Sequence, residues 1–161
     1  MSESETTSFS VLVVEDDADT RDSLTEVLEK DGFAVQTASN GREAFEVLNS
    51  ASTKPSVILL DMMMPVMDGW EFRNAQRNDP ELASIPVALL SAQPNIEAAA
   101  KSVGAAAYIR KPLSVDNLID TLDSLYLFVE LNRILHRDRL GATAIDSQVP
   151  REAGFLRKQG P

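Results

Sequence analysis

At 161 residues the chain has room for one domain plus an extension, and 43% apolar residues supply a core, which excludes wholesale disorder. It contains no cysteine, so disulfides and thiolate metal sites are excluded, and no apolar run approaches the roughly 18 residues that span a bilayer. The net charge of −10 sits in the body: residues 1–129 hold 21 acids against 9 bases, and residues 130–161 hold 4 against 6.

The polar, acidic stretch 1–8 lacks the basic start and apolar centre of a signal peptide and reads as a flexible N-terminus. Residues 9–14 form a continuous apolar run, the pattern of a strand buried on both faces. Leu24, Val27 and Leu28 recur at helical spacing, so 17–31 reads as a helix that Gly32 stops. Residues 33–38 alternate as a second strand, 40–50 read as a second helix, and 57–60 as a third strand. A loop over 61–68 contains Pro65, and Asp68 caps a helix from about Gly69 that ends before Pro80. A fourth strand over 85–90, an alanine-rich helix over 95–103 stopped by Gly104, and a fifth strand over 105–109 follow. Ser114 then caps a last helix reaching about Arg139, with Val115, Leu118, Ile119, Leu122, Leu125 and Val129 as its core stripe.

Strands alternating with helices predict an α/β fold with a parallel sheet and helices on both faces. Five such units match the doubly wound, flavodoxin-like order 2-1-3-4-5, whose switch point lies between strands one and three. Chemistry-bearing residues cluster where those strands end: Asp16 and Asp17 after the first, Asp61 after the third, Ser91 after the fourth and Lys111 after the fifth. Carboxyl ends of parallel strands share one edge, so three carboxylates, a hydroxyl and an ammonium are predicted to converge there. Three converging carboxylates want a cation, and Mg2+ suits an all-oxygen set. Asp61 can then serve as nucleophile toward a phosphoryl group, with the metal, Lys111 and Ser91 each meeting one oxygen.

The runs Val-Val-Glu-Asp-Asp (13–17), Leu-Leu-Asp-Met-Met-Met-Pro-Val-Met-Asp-Gly (59–69), Leu-Leu-Ser-Ala (89–92) and Tyr-Ile-Arg-Lys-Pro (108–112) carry a resemblance. The chain resembles the CheY-like receiver domain of response regulators in two-component signalling, over residues 9–129. The resemblance implies Asp61 as phosphoacceptor, and Asp16, Asp17, Asp61 and the backbone carbonyl of Met63 as ligands of Mg2+, for which Mn2+ can substitute. It implies Lys111 against the phosphoryl group, a cis bond from Lys111 to Pro112, and Ser91 with Tyr108 as the switch. Met63 and Gln93 neighbour the site and tune access of attacking water. Trp70 is expected in the core or half-buried on its helix, and the methionines at 62–64 in loop and core packing.

Implied partners are a sensor histidine kinase or a histidine phosphotransfer protein, and a target protein bound by the face of the 95–103 helix, the fifth strand and the last helix. Passing the phosphoryl group on, as a relay intermediate or phosphate sink, is the alternative within this class. An aspartyl-phosphate phosphatase is the alternative outside it. That chemistry wants an acid two residues past the nucleophile, where this chain has Met63. Residues 130–161 read as an extension of the last helix followed by a flexible tail too short for another domain. A stand-alone, cytoplasmic receiver is the expectation, with neither membrane nor direct nucleic-acid binding, because an acidic body repels phosphate backbones. Leu127, Phe128, Leu131, Ile134 and Leu135 continue apolar character beyond the core stripe and offer a face for the domain itself, a homodimer or a partner.

Overall fold

The computed structural model describes residues 9–139; the expected flexible segments 1–8 and 140–161 lie outside them. Five parallel strands, β1 (Ser10–Val14), β2 (Ala34–Ala38), β3 (Val57–Asp61), β4 (Val87–Ser91) and β5 (Ala107–Arg110), form one sheet in the order β2-β1-β3-β4-β5. Helices α1 (Ala18–Lys30), α2 (Gly41–Ser50), α3 (Gly69–Arg77), α4 (Ile96–Ser102) and α5 (Val115–Arg139) alternate with the strands. This is the doubly wound α/β architecture read from the pattern. The chain divides into two compact units at Pro86.

In the first unit β1 pairs with β2 from Ser10↔Ala34 to Val14↔Ala38, and with β3 from Val11↔Val57 to Val14↔Leu60. Every side chain of 57–60 is fully buried, which is why that strand reads as an unbroken apolar run. Each helix start has its own reason. Asp17 accepts from the Thr20 amide at 2.8 Å, Asn40 from the Glu43 amide at 2.9 Å and Asp68 from the Glu71 amide at 2.9 Å. Gly32, at φ 91°, ends α1 in a left-handed conformation that a side chain would resist.

In the second unit β4 pairs with β5 from Ala88↔Ala107 to Ser91↔Arg110. Both strands start two residues later than their apolar runs predict. Pro86 has no amide to give a ladder, and its carbonyl accepts from the Ile58 amide at 2.9 Å. The Ala105 amide goes back to Ala100 of α4 at 2.9 Å, so β5 begins only afterwards. On α5, Leu118, Leu122 and Leu125 are buried, Ile119 and Val129 are half-buried, and Val115 is 53% exposed. Val115 was expected in the core stripe, but it occupies the first turn, ahead of the packed layer that Leu118 begins.

Candidate functional site

β1 runs out at Val14, and the next residue, Glu15, still donates its amide to Ala38 of β2 at 3.0 Å. Its side chain is thereby held at the strand end, where it is buried. The Arg21 guanidinium reaches back from α1 and donates to the Glu15 carbonyl at 2.9 Å, which pins the turn. Asp61 ends β3 and is also buried; its Oδ1 accepts from the Met63 amide at 3.1 Å. Carboxylate oxygens of Glu15, Asp16 and Asp61 all lie within 4.8 Å of one another, with Asp16 exposed to solvent.

The acid set therefore differs by one residue from the sequence expectation. Asp16 and Asp61 are brought together as predicted, but their companion is Glu15. Asp17 is turned to α1, where its Oδ2 accepts from the Thr20 amide and from Thr20 Oγ1 at 2.5 Å. One signal in the sequence favoured this outcome: Asp17 with Thr20 three residues on is an N-cap spacing.

The loop after Asp61 is held closely. The Gly69 amide donates to Met62 at 3.1 Å and the Gly41 amide to Met67 at 3.2 Å. A Cβ at position 69 would stand 2.7 Å from the Met62 Cα and 2.9 Å from the Asp61 carbonyl oxygen, so only glycine lets α3 start this close to the strand end. Val66 adopts φ 69°, and across it the Met67 amide donates to Pro65 at 2.7 Å, a γ-turn of the strained hand. Met62 and Met64 are buried, while Met63 is 60% exposed and carries no proton donor. Trp70 is 39% exposed at the start of α3.

In the second unit Ser91 ends β4 and is buried. Its Oγ accepts from the Gln93 amide at 3.0 Å, and its carbonyl accepts from the Lys111 amide at 3.0 Å. Lys111 thus follows β5 directly beside the end of β4, and the Lys111–Pro112 bond is cis, as expected. Tyr108, two residues before the end of β5, is half-buried. The Arg110 guanidinium lies 5.8 Å from its ring centroid and also donates to the Pro94 carbonyl at 3.3 Å.

Three carboxylates this close repel one another unless a cation lies among them. Their chemistry fits a hard divalent ion: all-oxygen donors from two adjacent strands, with one exposed member leaving room for retained water. Glu15, Asp16 and Asp61 are the residues of the first unit that would hold it.

A family model described as the response regulator receiver domain matches residues 11–123, and the chain belongs to that family. The response regulator MprA of Mycolicibacterium vanbaalenii is 33% identical over 117 residues, which cover 71% of this chain and 49% of that protein. The transcriptional regulatory protein PrrA of Mycobacterium leprae is 38% identical over 120 residues, covering 71% of this chain and 48% of that protein. The chain thus spans about half the length of these curated relatives. Among solved structures, the Vibrio cholerae chemotaxis protein CheY4 superposes with a TM-score of 0.67 at 32% identity, covering 73% of this chain and 98% of that one. A receiver domain is a phosphoacceptor signalling module and not a conventional enzyme. Among the described residues, no helix is long and apolar enough to cross a membrane.

Proposed function

We propose that this receiver domain accepts a phosphoryl group on Asp61 from a phosphohistidine of a sensor kinase or phosphotransfer protein, in a Mg2+-dependent reaction. The observation that carries the reading is the Glu15, Asp16 and Asp61 cluster at the ends of β1 and β3. In the transfer, an Asp61 carboxylate oxygen forms a bond to phosphorus as the P–N bond breaks. The electron pair returns to the donor imidazole, and Asp61 becomes an acyl phosphate. Glu15 and Asp16 would hold the metal with Asp61, and the Met63 carbonyl would add a backbone oxygen. The bound ion supplies neutralising charge to the carboxylates and to the phosphoryl oxygens.

Lys111 and Ser91 are assigned to the phosphoryl group, as a point charge and a hydroxyl donor. Ser91 and Tyr108 form the switch. When the Ser91 hydroxyl turns toward the phosphoryl group, the Tyr108 ring leaves Arg110 and packs inward. This shifts the population of two packings of the face made by α4, β5 and α5. A target protein reads that face. The protein works in the cytoplasm, where a kinase can reach it.

The test is covalent labelling by acetyl phosphate, read by intact mass. Wild-type protein with Mg2+ gains one phosphoryl group. D61N gains none and keeps its far-UV spectrum, and a chelator abolishes labelling of the wild type. Labelling of D61N at the wild-type rate would sink the assignment.

A further inference from the structure

α5 presents apolar side chains on two opposite sides along its 25 residues. Leu118, Leu122 and Leu125 are buried, and at about 100° per residue they fall within about 60° of one another. Past Leu125 that same side continues with Val129, Asn132 and His136, and no residue from 126 to 137 is fully buried. The apolar character has moved across the helix. Leu127, Leu131 and Ile134 are 60%, 42% and 51% exposed, and they line up about 180° from the buried set. The receiver family match ends at residue 123, so this outer stripe lies beyond the part of the chain that defines the family.

The charges say what fits the stripe. Residues 115–125 carry Asp116, Asp120 and Asp123 and no base, whereas residues 126–137 carry Glu130 against Arg133 and Arg137. Side by side in parallel, the Glu130 and Arg137 flank of one helix would face the apolar Phe128 and Leu135 flank of the other; antiparallel, it faces its own counterpart. The register agrees. With Leu127 and Ile134 at heptad position d and Leu131 at a, Glu130 and Arg137 both fall at g, on one flank. When Leu131 packs against Ile134 of a second copy, Glu130 lies opposite Arg137 of that copy, and two-fold symmetry repeats the pair. Glu130 already holds Arg133 of its own helix at 2.7 Å. On the other flank, half-buried Phe128 and Leu135 widen the apolar seam.

We propose that two copies of this chain associate through antiparallel pairing of the outer stripe of α5, registered by Glu130 and Arg137. This association needs no phosphoryl chemistry at Asp61 and is tested apart from it. Sedimentation velocity on the full chain, from micromolar to millimolar protein, is expected to show a reversible monomer–dimer equilibrium. L131E should sediment as a monomer with unchanged helical circular dichroism. E130R and R137E should each weaken the dimer about tenfold, while the double variant E130R/R137E, with charges exchanged but still complementary, should return toward wild-type affinity. Both charge substitutions lie at solvent-accessible positions, so they test the pairing even if L131E fails to fold.

A chain that stays monomeric at every concentration overturns the proposal and leaves the stripe to another segment or another protein. A dimer that ignores L131E overturns it in favour of a different face. A double variant no tighter than the single ones overturns the antiparallel register.

Discussion

Val66 bears a backbone conformation that its own side chain opposes. A β-branched residue at φ 69° is strained, and at 71% exposure no packing accounts for its identity. The neighbours on each side fix the loop, Met67 through the Gly41 amide and Met62 through the Gly69 amide, so the turn cannot relax alone. V66N, which tolerates this region, is expected to raise stability by about 1 kcal/mol in urea unfolding. Loss of stability would mean that the valine side chain contributes more than its strain costs. Glu15 and Asp17 separate by the same kind of reasoning. D17A should cost about 1 kcal/mol of stability through the lost α1 cap and leave Mg2+ affinity, read from Trp70 emission, near that of the wild type. E15Q should weaken Mg2+ about tenfold or more, as losing one anionic oxygen from a three-carboxylate set implies.

At the scale of elements, α3 is fastened by its amide and guanidinium groups as well as by Phe72. The buried Gln76 donates from Nε2 to the carbonyls of Leu82 and Ile85 at 3.0 Å each, and accepts from Arg73 Nη1 at 2.8 Å. Burial first, and then the neighbouring charge of Arg77, lowers the Arg73 guanidinium from its ordinary value. Q76L strands three of these partners in the interior and is expected to cost about 2–4 kcal/mol, measured by denaturant midpoint at unchanged slope. The sequence showed none of this, since a glutamine and an arginine in an amphipathic helix look like surface.

What the sequence did show follows from how burial shapes pattern. β1, β3 and β4 were legible because a strand covered on both faces has to be apolar at every position. The caps Asp68 and Ser114 were legible because their side chains act locally; Ser114 Oγ accepts from the Asn117 amide at 3.3 Å. The start of β5 was not, because the Ala105 amide is claimed by α4, a contact no local rule reveals. Of the three clustered acids, Asp16 and Asp61 were legible from their places at the ends of β1 and β3. Glu15 was missed because its burial depends on the ladder to β2. The exposed Val115 was misread because helical periodicity does not say where along a helix packing begins.

On the scale of the whole molecule, the carboxylate cluster makes stability depend on cation. Without metal, buried Glu15 and Asp61 repel each other and Asp16, so D61N is expected to be more stable than the wild type in chelator. With millimolar Mg2+ the order should narrow or reverse, because a ligand bound to the native state at a hundred times its Kd adds about 2.7 kcal/mol. Thermal melts of both proteins with and without Mg2+ check this. A wild type indifferent to Mg2+ would remove the cation from the account.

The sheet order also bears on how the chain assembles. Register partners are 24 residues apart for β1–β2, from Ser10 to Ala34, and 19 apart for β4–β5, from Ala88 to Ala107. They are 46 apart for β1–β3, from Val11 to Val57. Each doubling of a closed loop adds only about 0.6 kcal/mol of entropy cost, so the longest of these closures is little harder than the shortest. Residues 1–86, which contain all three strands of the first unit, emerge first from the ribosome. That half can therefore form its β2-β1-β3 ladder and gather its three carboxylates before β4 and β5 have emerged.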